Sequence, residues 1–328
     1  MRAAIYDRTG PAQEVLRIEE VPDPMPGSGE VRVKVQWSGV NPSDVKSRAG
    51  ARSKTLPFPR IIPHSDGSGV IDEVGAGVSK TRIGERVWIW NAAWGRPFGT
   101  AAEYVVVPAA QAVALPASVD LAVGACLGIP ALTAFHAVHV DGGVAGKTVL
   151  VAGGAGAVGH YAVQIARLAG AKQILSTVSS SEKAALAKSA GADVVINYKL
   201  EDLGPRVEEA TAGRGVDRII EVDFGTNVSA DLQAVKPDGE IIVYGSNALE
   251  ISVPFVPMIT KNVGVRFFIV YNLNARAREQ ALTGLTSMLE ADSLKHNIAT
   301  RLSLERIADA HELVEHGRAV GNVILQVE

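Results

Sequence analysis

The chain is poor in several things, and each shortage removes a class of protein. A single cysteine, Cys126, among 328 residues leaves no intrachain disulfide, so a covalent scaffold is excluded and a reducing compartment is expected. A formal net charge of -3 provides no positive field to collect nucleic acid or an anionic membrane. Apolar runs are short and broken by Gly, Pro or charge, so no membrane span is expected. Residues 1–7 lack the apolar core of a secretory signal and read as a strand, which points to a cytoplasmic protein. What remains is a globular composition, 47% hydrophobic and 20% charged, long enough for two domains.

The most informative stretch is 147–183. An apolar run, 147–152, leads into Gly153-Gly154-Ala155-Gly156-Ala157-Val158-Gly159, then a helical run to about 169 and a second apolar run, 174–178. Strand, glycine turn, helix and strand in that order make a βαβ unit with Gly154-x-Gly156-x-x-Gly159 at its turn. The first glycine permits the turn, the second lets a pyrophosphate approach the backbone, and the third packs helix on strand. A pyrophosphate there would meet the free N–H groups and positive end of the helix. The reading is a dinucleotide site.

Beyond it, strands are expected at 193–198, 217–222, 239–246 and 264–270, with helices between the first of them. That pattern implies a doubly wound parallel sheet. Amphipathic helices are expected at 274–292 and 303–316. A closing strand at 321–327 should return to the first domain. Residues 1 to about 120 have a different texture: short strands at 31–35, 67–74, 85–90 and 101–107, split by Gly and Pro turns. These indicate a small β-barrel or sandwich. A helix from 121 to about 140 should kink at Gly128-Ile129-Pro130.

Two spots in this first part stand out. In Gly39-Val40-Asn41-Pro42-Ser43-Asp44, polar residues follow a strand and open a helix, so Asn41 or Ser43 is readable as a cap. Residues 88–98 hold three tryptophans with Gly95, Arg96 and Pro97; they either fill a core or form a loop that stacks on a flat ligand.

Taken together, Gly39-Val40-Asn41-Pro42, Ile129-Pro130-x-x-Thr133-Ala134, the glycine turn, Gly191-Ala192-Asp193 and Gly239-x5-Gly245 resemble the zinc-free quinone oxidoreductases. These are the zeta-crystallin-like branch of the medium-chain dehydrogenase/reductase superfamily. The resemblance runs over essentially the whole chain. It implies an α/β protein with a GroES-like β-barrel catalytic domain, 1–122 with 271–328, and a Rossmann cofactor domain, 123–270, with a cleft between them. It implies NADPH as cofactor and a homodimer paired through the sixth Rossmann strand.

Zinc-dependent relatives carry cysteine at Asn41, histidine at Ser65 and cysteine near Ile129, and none of these residues supplies the thiolate or imidazole zinc needs. His64 misses the ligand position by one place. No metal is expected.

Cofactor choice is expected from charge. NAD enzymes hold the ribose with an acidic residue about 20 positions past the glycines. Here that corner is Ser179-Ser180-Ser181, with Glu182 already inside the helix and Lys183 beside it, and the hydroxyls and ammonium suit a 2′-phosphate. The resemblance places Lys183, Tyr198 and Arg318 around that phosphate; as bare residues Lys183 and Arg318 also read as solvated charges. It further implies Gly245 and Ser246 at the ribose and pyrophosphate edge, and the Phe268 backbone at the carboxamide. Asn41 is expected at the acceptor oxygen, Asp44 in orientation and hydration, and Thr133 beside the nicotinamide.

The implied reaction is reduction of a quinone by hydride transfer. Lys46 stands where several members have tyrosine, which opens a second substrate class, α,β-unsaturated ketones or aldehydes reduced at C=C. A third possibility is a non-catalytic NADPH-binding sensor or structural protein.

Overall fold

The computed structural model describes residues 1–51 and 53–327. The chain forms two compact units, Met1–Pro130 with Thr286–Glu328, and Ala131–Leu285. These lie close to the division expected from sequence and differ in the crossing segments. Residues 123–130 pack with the first unit and 271–285 with the second. The terminal Glu328 of the expected 271–328 segment lies outside the described residues.

In the first unit, β1 (Arg2–Ile5) pairs antiparallel with β2 (Arg17–Glu20) across the short helix α1 (Ala12–Val15). β3 (Glu30–Val40) is the spine. Val31, Val33 and Val35 are fully buried while the intervening Arg32 reaches Asp72, so period-two alternation sorts apolar in and charge out. α2 (Pro42–Ala49) leaves β3 directly, with Asn41 at its N-cap, Pro42 opening it and left-handed Gly50 closing it. β4 (Gly67–Val74), β5 (Arg86–Ile89), β6 (Tyr104–Pro108) and β7 (Ala112–Ala114) complete this part.

The aromatic segment splits: Trp88 is buried in β5, whereas Trp94 and Phe98 are exposed in the loop. The expected kinked helix is observed as three pieces: α3 (Leu121–Gly124), a π-turn over Leu127–Ala131, and α4 (Leu132–His139). Pro130 has no N–H to donate within that turn.

The second unit runs β8 (Thr148–Val151), α5 (Ala157–Leu168), β9 (Gln173–Val178), α6 (Ser181–Ser189) and β10 (Val194–Asn197). It continues with α7 (Leu203–Thr211), β11 (Val216–Glu221), α8 (Phe224–Ala234), β12 (Val235–Val243), α9 (Phe255–Thr260) and β13 (Gly264–Phe267). The six strands are all parallel in the order β10-β9-β8-β11-β12-β13. Strand order reverses between β8 and β11, and in such sheets the crevice at the strand C-termini there is the ligand position. An apolar core including Leu150, Leu175, Ile219, Phe224 and Ile241 holds the sheet.

α10 (Ala275–Glu290) leads out, and β14 (Ile298–Ser303), α11 (Ile307–Glu315) and β15 (Asn322–Gln326) finish the first unit. β15 pairs antiparallel with β3, as expected of the closing strand, giving the order β14-β15-β3-β4-β5-β7 with β6 also on β3.

Two elements escape the pattern. α9 carries Pro257 inside an apolar run, which masks its helical period, and β14 finds its partner β15 only in the fold. The sixth parallel strand ends at Phe267 rather than 270, because Val270–Asn272 winds into a 3₁₀ turn.

Candidate active site

In the second unit the glycine turn joins β8 to α5. Gly153 has φ +69, a left-handed backbone that L side chains rarely adopt. A Cβ on Gly154 would collide with the Ser176 hydroxyl, and one on Gly159 with the Gly153 carbonyl. Glycine at 154 and 159 is therefore a packing requirement. Gly156 is different: its nearest would-be neighbour is the Gly153 carbonyl at 3.2 Å, and Gly156, Ala157 and Val158 are half-buried. An open backbone at the start of a twelve-residue helix has N–H groups with no intrahelical partner, an anion cradle by geometry. The turn is pinned from β9, where Thr177 Oγ1 accepts the Gly153 N–H at 3.0 Å. Ala155 is buried beneath it.

At the end of β9, Ser180 caps α6 by accepting the Lys183 N–H at 3.2 Å, and Lys183 Nζ donates to Ser179 Oγ at 3.0 Å. Tyr198, just past β10, donates its N–H to Val178 O and leaves its ring 56% exposed. Ser179, Ser180, Lys183 and Tyr198 are thus gathered at one corner, with an ammonium where NAD enzymes place a carboxylate.

Gly245 lies against the Val222 carbonyl with no room for a Cβ, and Ser246 Oγ accepts the Ala248 N–H at 3.0 Å. The Phe268 N–H is spent on Val243 O at 3.1 Å. Thr133 is buried in the first turn of α4. Arg318 belongs to the first unit, exposed just after α11.

The first unit holds a buried polar seam. Asn41 Nδ2 donates to Asp66 Oδ1 at 2.7 Å, and the Ile129 N–H donates to Asp66 Oδ2 at 3.1 Å. The Asn41 N–H donates to Asp44 Oδ2 at 2.9 Å. Burial pushes the Asp44 carboxyl up to about 7, and burial with the neighbouring Asp44 charge holds Asp66 well above the usual carboxylate range.

Behind Asp66, Thr100 Oγ1 donates to its backbone carbonyl at 2.6 Å and also contacts Ser38 Oγ at 2.8 Å. Ser38 meets His64 Nδ1 at 2.8 Å, and His64 Nε2 meets His311 Nε2 at 3.0 Å. Both imidazoles are pushed down by burial, so they are neutral, and one proton fits between the facing nitrogens. His64, at φ 78, is a committed core histidine.

Sequence reasoning located Asn41 and Asp44 but not Asp66's part, nor Thr177 under the turn. Nor did it single out Arg218, Glu221 and Asp231. Arg218 is fully buried, donating to Val140 O at 2.8 Å, Asp141 O at 3.1 Å and Glu240 Oε2 at 2.6 Å. A charged residue inside the apolar run of β11 was the available signal. Glu221 and Asp231 are buried against each other, and burial pushes Asp231 up to about 9, so the pair shares a proton.

A GroES-like barrel joined to a doubly wound sheet with an open-backboned glycine turn defines a dinucleotide-dependent dehydrogenase or reductase. Residues 27–117 match the alcohol dehydrogenase GroES-like domain family, and 157–287 the family described as zinc-binding dehydrogenase. Human quinone oxidoreductase is 34% identical over 99% of this chain and 97% of its own length. A Burkholderia 2-haloacrylate reductase is 30% identical over 99% and 98%. A mycobacterial protein solved in complex with NADPH superposes with a TM-score of 0.89 at 28% identity, covering both chains fully. The chain belongs to the quinone oxidoreductase branch of the medium-chain dehydrogenase/reductase superfamily, and it is an NAD(P)-dependent oxidoreductase.

The zinc in one family's description does not fit these residues. The Asn41 amide is turned to Asp66, Ser65 is a buried hydroxyl, and Ile129 contributes only a backbone N–H. Among the described residues no three His, Cys, Asp or Glu side chains are grouped to hold a metal ion. A dinucleotide, by contrast, fits the open backbone at Gly156 and the Lys183 corner. No helix among the described residues is long and apolar enough to cross a membrane.

Proposed function

We propose that the protein reduces quinones with NADPH, without a metal. The observation that carries the cofactor choice is Lys183 Nζ on Ser179 Oγ at the end of β9, where a carboxylate would repel a 2′-phosphate. When bound, NADPH would supply the hydride. The α5 N-terminus at Gly156, Ala157 and Val158 would hold the pyrophosphate, with Gly153, Gly154, Ala155 and Gly159 shaping the turn. Gly245 and Ser246 would border the ribose. With its N–H spent in the sheet, the Phe268 peptide would meet a carboxamide as acceptor. Tyr198 and Arg318 would flank the adenosine end, and Thr133 the nicotinamide. The acceptor would meet Asn41 and Asp44, which orient it and supply polar contacts as negative charge develops on oxygen.

Specificity follows from kcat/KM with each cofactor and with 1,4-benzoquinone, 9,10-phenanthrenequinone and a short enone. A clear NADPH preference with quinone turnover is expected; equal kcat/KM for NADPH and NADH refutes the cofactor assignment.

Reduction of an activated C=C bond is the second reading. Lys46, in place of a flat aromatic on α2, favours it, as does the likeness to a 2-haloacrylate reductase. Turnover of the enone with no quinone reduced would select it. We further propose a homodimer paired through β13, the outer strand of its sheet, because exposed Phe255, Val256, Ile259 and Phe267 would be covered there. Sedimentation as a monomer refutes that arrangement.

A further inference from the structure

We propose that Asp223 is a positioning residue for the nicotinamide half of the cofactor. It acts through Asn247, whose loop it holds against the start of α8. The inference deepens the NADPH reading and rests on it.

The sheet sets the direction in which a dinucleotide must run. The open backbone at Gly156 follows β8, and the Ser179–Lys183 corner follows β9, the neighbour of β8 on one side. A dinucleotide with its pyrophosphate at the first and its 2′-phosphate at the second can extend only the other way. There lie β11 and β12, parallel to β8 and ending at the same edge. Adjacent strands are about 4.8 Å apart, so the end of β12 is roughly 10 Å from that of β8.

Val222 continues β11 into this crevice. It is 40% exposed, and its Cγ1 lies 3.7 Å from where a Gly153 Cβ would stand. The end of β11 therefore borders the glycine turn itself.

Asp223 comes next, at the N-cap of α8. An aspartate there ordinarily accepts a backbone N–H from the helix's first turn. This side chain caps no such N–H. Its Oδ1 accepts the Asn247 N–H at 2.9 Å, and its Oδ2 accepts Asn247 Nδ2 at 2.9 Å and the Thr226 hydroxyl at 2.8 Å. One carboxylate thus grips both the main chain and the side chain of a single loop residue. The helix start does not need it, because the Asp223 carbonyl accepts the Thr226 and Asn227 N–H groups at 3.1 Å each.

The surroundings fit that grip. Fully buried Glu221 accepts the Asp223 N–H and, at 2.9 Å, Asn227 Nδ2, which fixes the peptide that carries Asp223. The Phe224 N–H donates to Gly245 O at 3.2 Å. A Cβ on Gly225 would strike the Ser246 hydroxyl at 2.8 Å and the Ala248 methyl at 2.9 Å, so the loop lies directly on the first turn of α8. Residues 247–250 are exposed, so burial holds them weakly and the two bonds from Asp223 set their place. All of these residues belong to the second unit.

The test separates the two halves of the cofactor by binding alone. Calorimetric titration gives Kd for NADPH and for adenosine 2′,5′-bisphosphate, which carries the 2′-phosphate and no nicotinamide. Thermal melting is the control on folding. Asp223→Ala should weaken NADPH about tenfold, because its loop would be in place only part of the time. Adenosine 2′,5′-bisphosphate should stay within about twofold. Asp223→Asn retains an oxygen for the Asn247 N–H and should recover part of the loss.

Asn247→Ala keeps that N–H and should cost less than Asp223→Ala. The double variant should cost no more than Asp223→Ala alone, since both changes remove one contact. If Asp223→Ala does not fold, Asn247→Ala decides: it must weaken NADPH more than the fragment. Equal weakening of both ligands, NADPH binding unchanged within about twofold, or additive losses in the double variant overturns the inference. A fragment that fails to bind the unmodified protein, or that binds Lys183→Glu equally well, overturns the NADPH reading instead.

Discussion

The two units work by different physical means. In the second, the candidate cofactor site is mostly main chain: an open helix start, glycines whose missing Cβ atoms make room, and one lysine at the corner. In the first, the candidate acceptor site is carried by side chains, with Asn41 giving its amide to Asp66 and its backbone N–H to Asp44. Main-chain sites depend on space and fail when it is filled. Side-chain sites depend on partners and fail when one is lost, so damage should appear as lost binding in one unit and lost chemistry in the other.

The sharpest test of that contrast is Gly154→Ala. Its methyl group would strike Ser176 on β9, and NADPH affinity should fall at least about 100-fold by fluorescence titration. Ser176→Ala in the same chain should recover part of the loss; no recovery would mean that crowding is not the cause. Asn41→Ala should do the reverse. It should cut kcat by about 10- to 100-fold while NADPH affinity stays within about twofold, and equal losses in both would break the division of labour.

Smaller, and confined to the corner of the second unit, Lys183→Glu should move the NADPH-to-NADH ratio of kcat/KM by about tenfold toward NADH. The smallest effect concerns the Glu221–Asp231 pair. Asp231 has a folded-state pKa raised to about 9, so the stability its proton provides is fully present below the unfolded value and lost as pH rises through about 9. Asp231→Asn carries no proton to lose. It should melt above the unmodified protein already at pH 7, by a margin that widens up to about pH 9 and closes below about pH 4, where Asp231 is protonated in both states.

Legibility in the sequence divides along the same line. The turn at 153–159 was readable because glycine announces a backbone requirement at a fixed spacing between a strand and a helix. The Ser179–Lys183 corner was readable because it sits a fixed distance downstream. Asn41 and Asp44 were readable as a helix start, and only the family resemblance gave them chemistry.

In the sequence Asp66 reads only as a lone carboxylate, too little for a zinc site. Its significance lies in meeting Asn41, 25 positions away in the chain, and Ile129, 63 positions away. His64 shows the opposite case: it suggests a metal ligand by its place in the chain, and the fold commits it to Ser38 and His311. Likewise β14 alternates weakly and becomes a strand because β15 lies beside it.

The sequence by itself determined the βαβ unit, the parallel sense of the second unit's strands and the return of the last strand to the first. All of these follow from hydrophobic period, glycine and proline, which act on near neighbours. Tertiary structure alone decided which acids lose their water, which histidines stay neutral and which buried carboxyl takes the Asn41 amide. A pKa or a hydrogen-bond partner is a property of surroundings, and for these residues the surroundings come from distant parts of the chain.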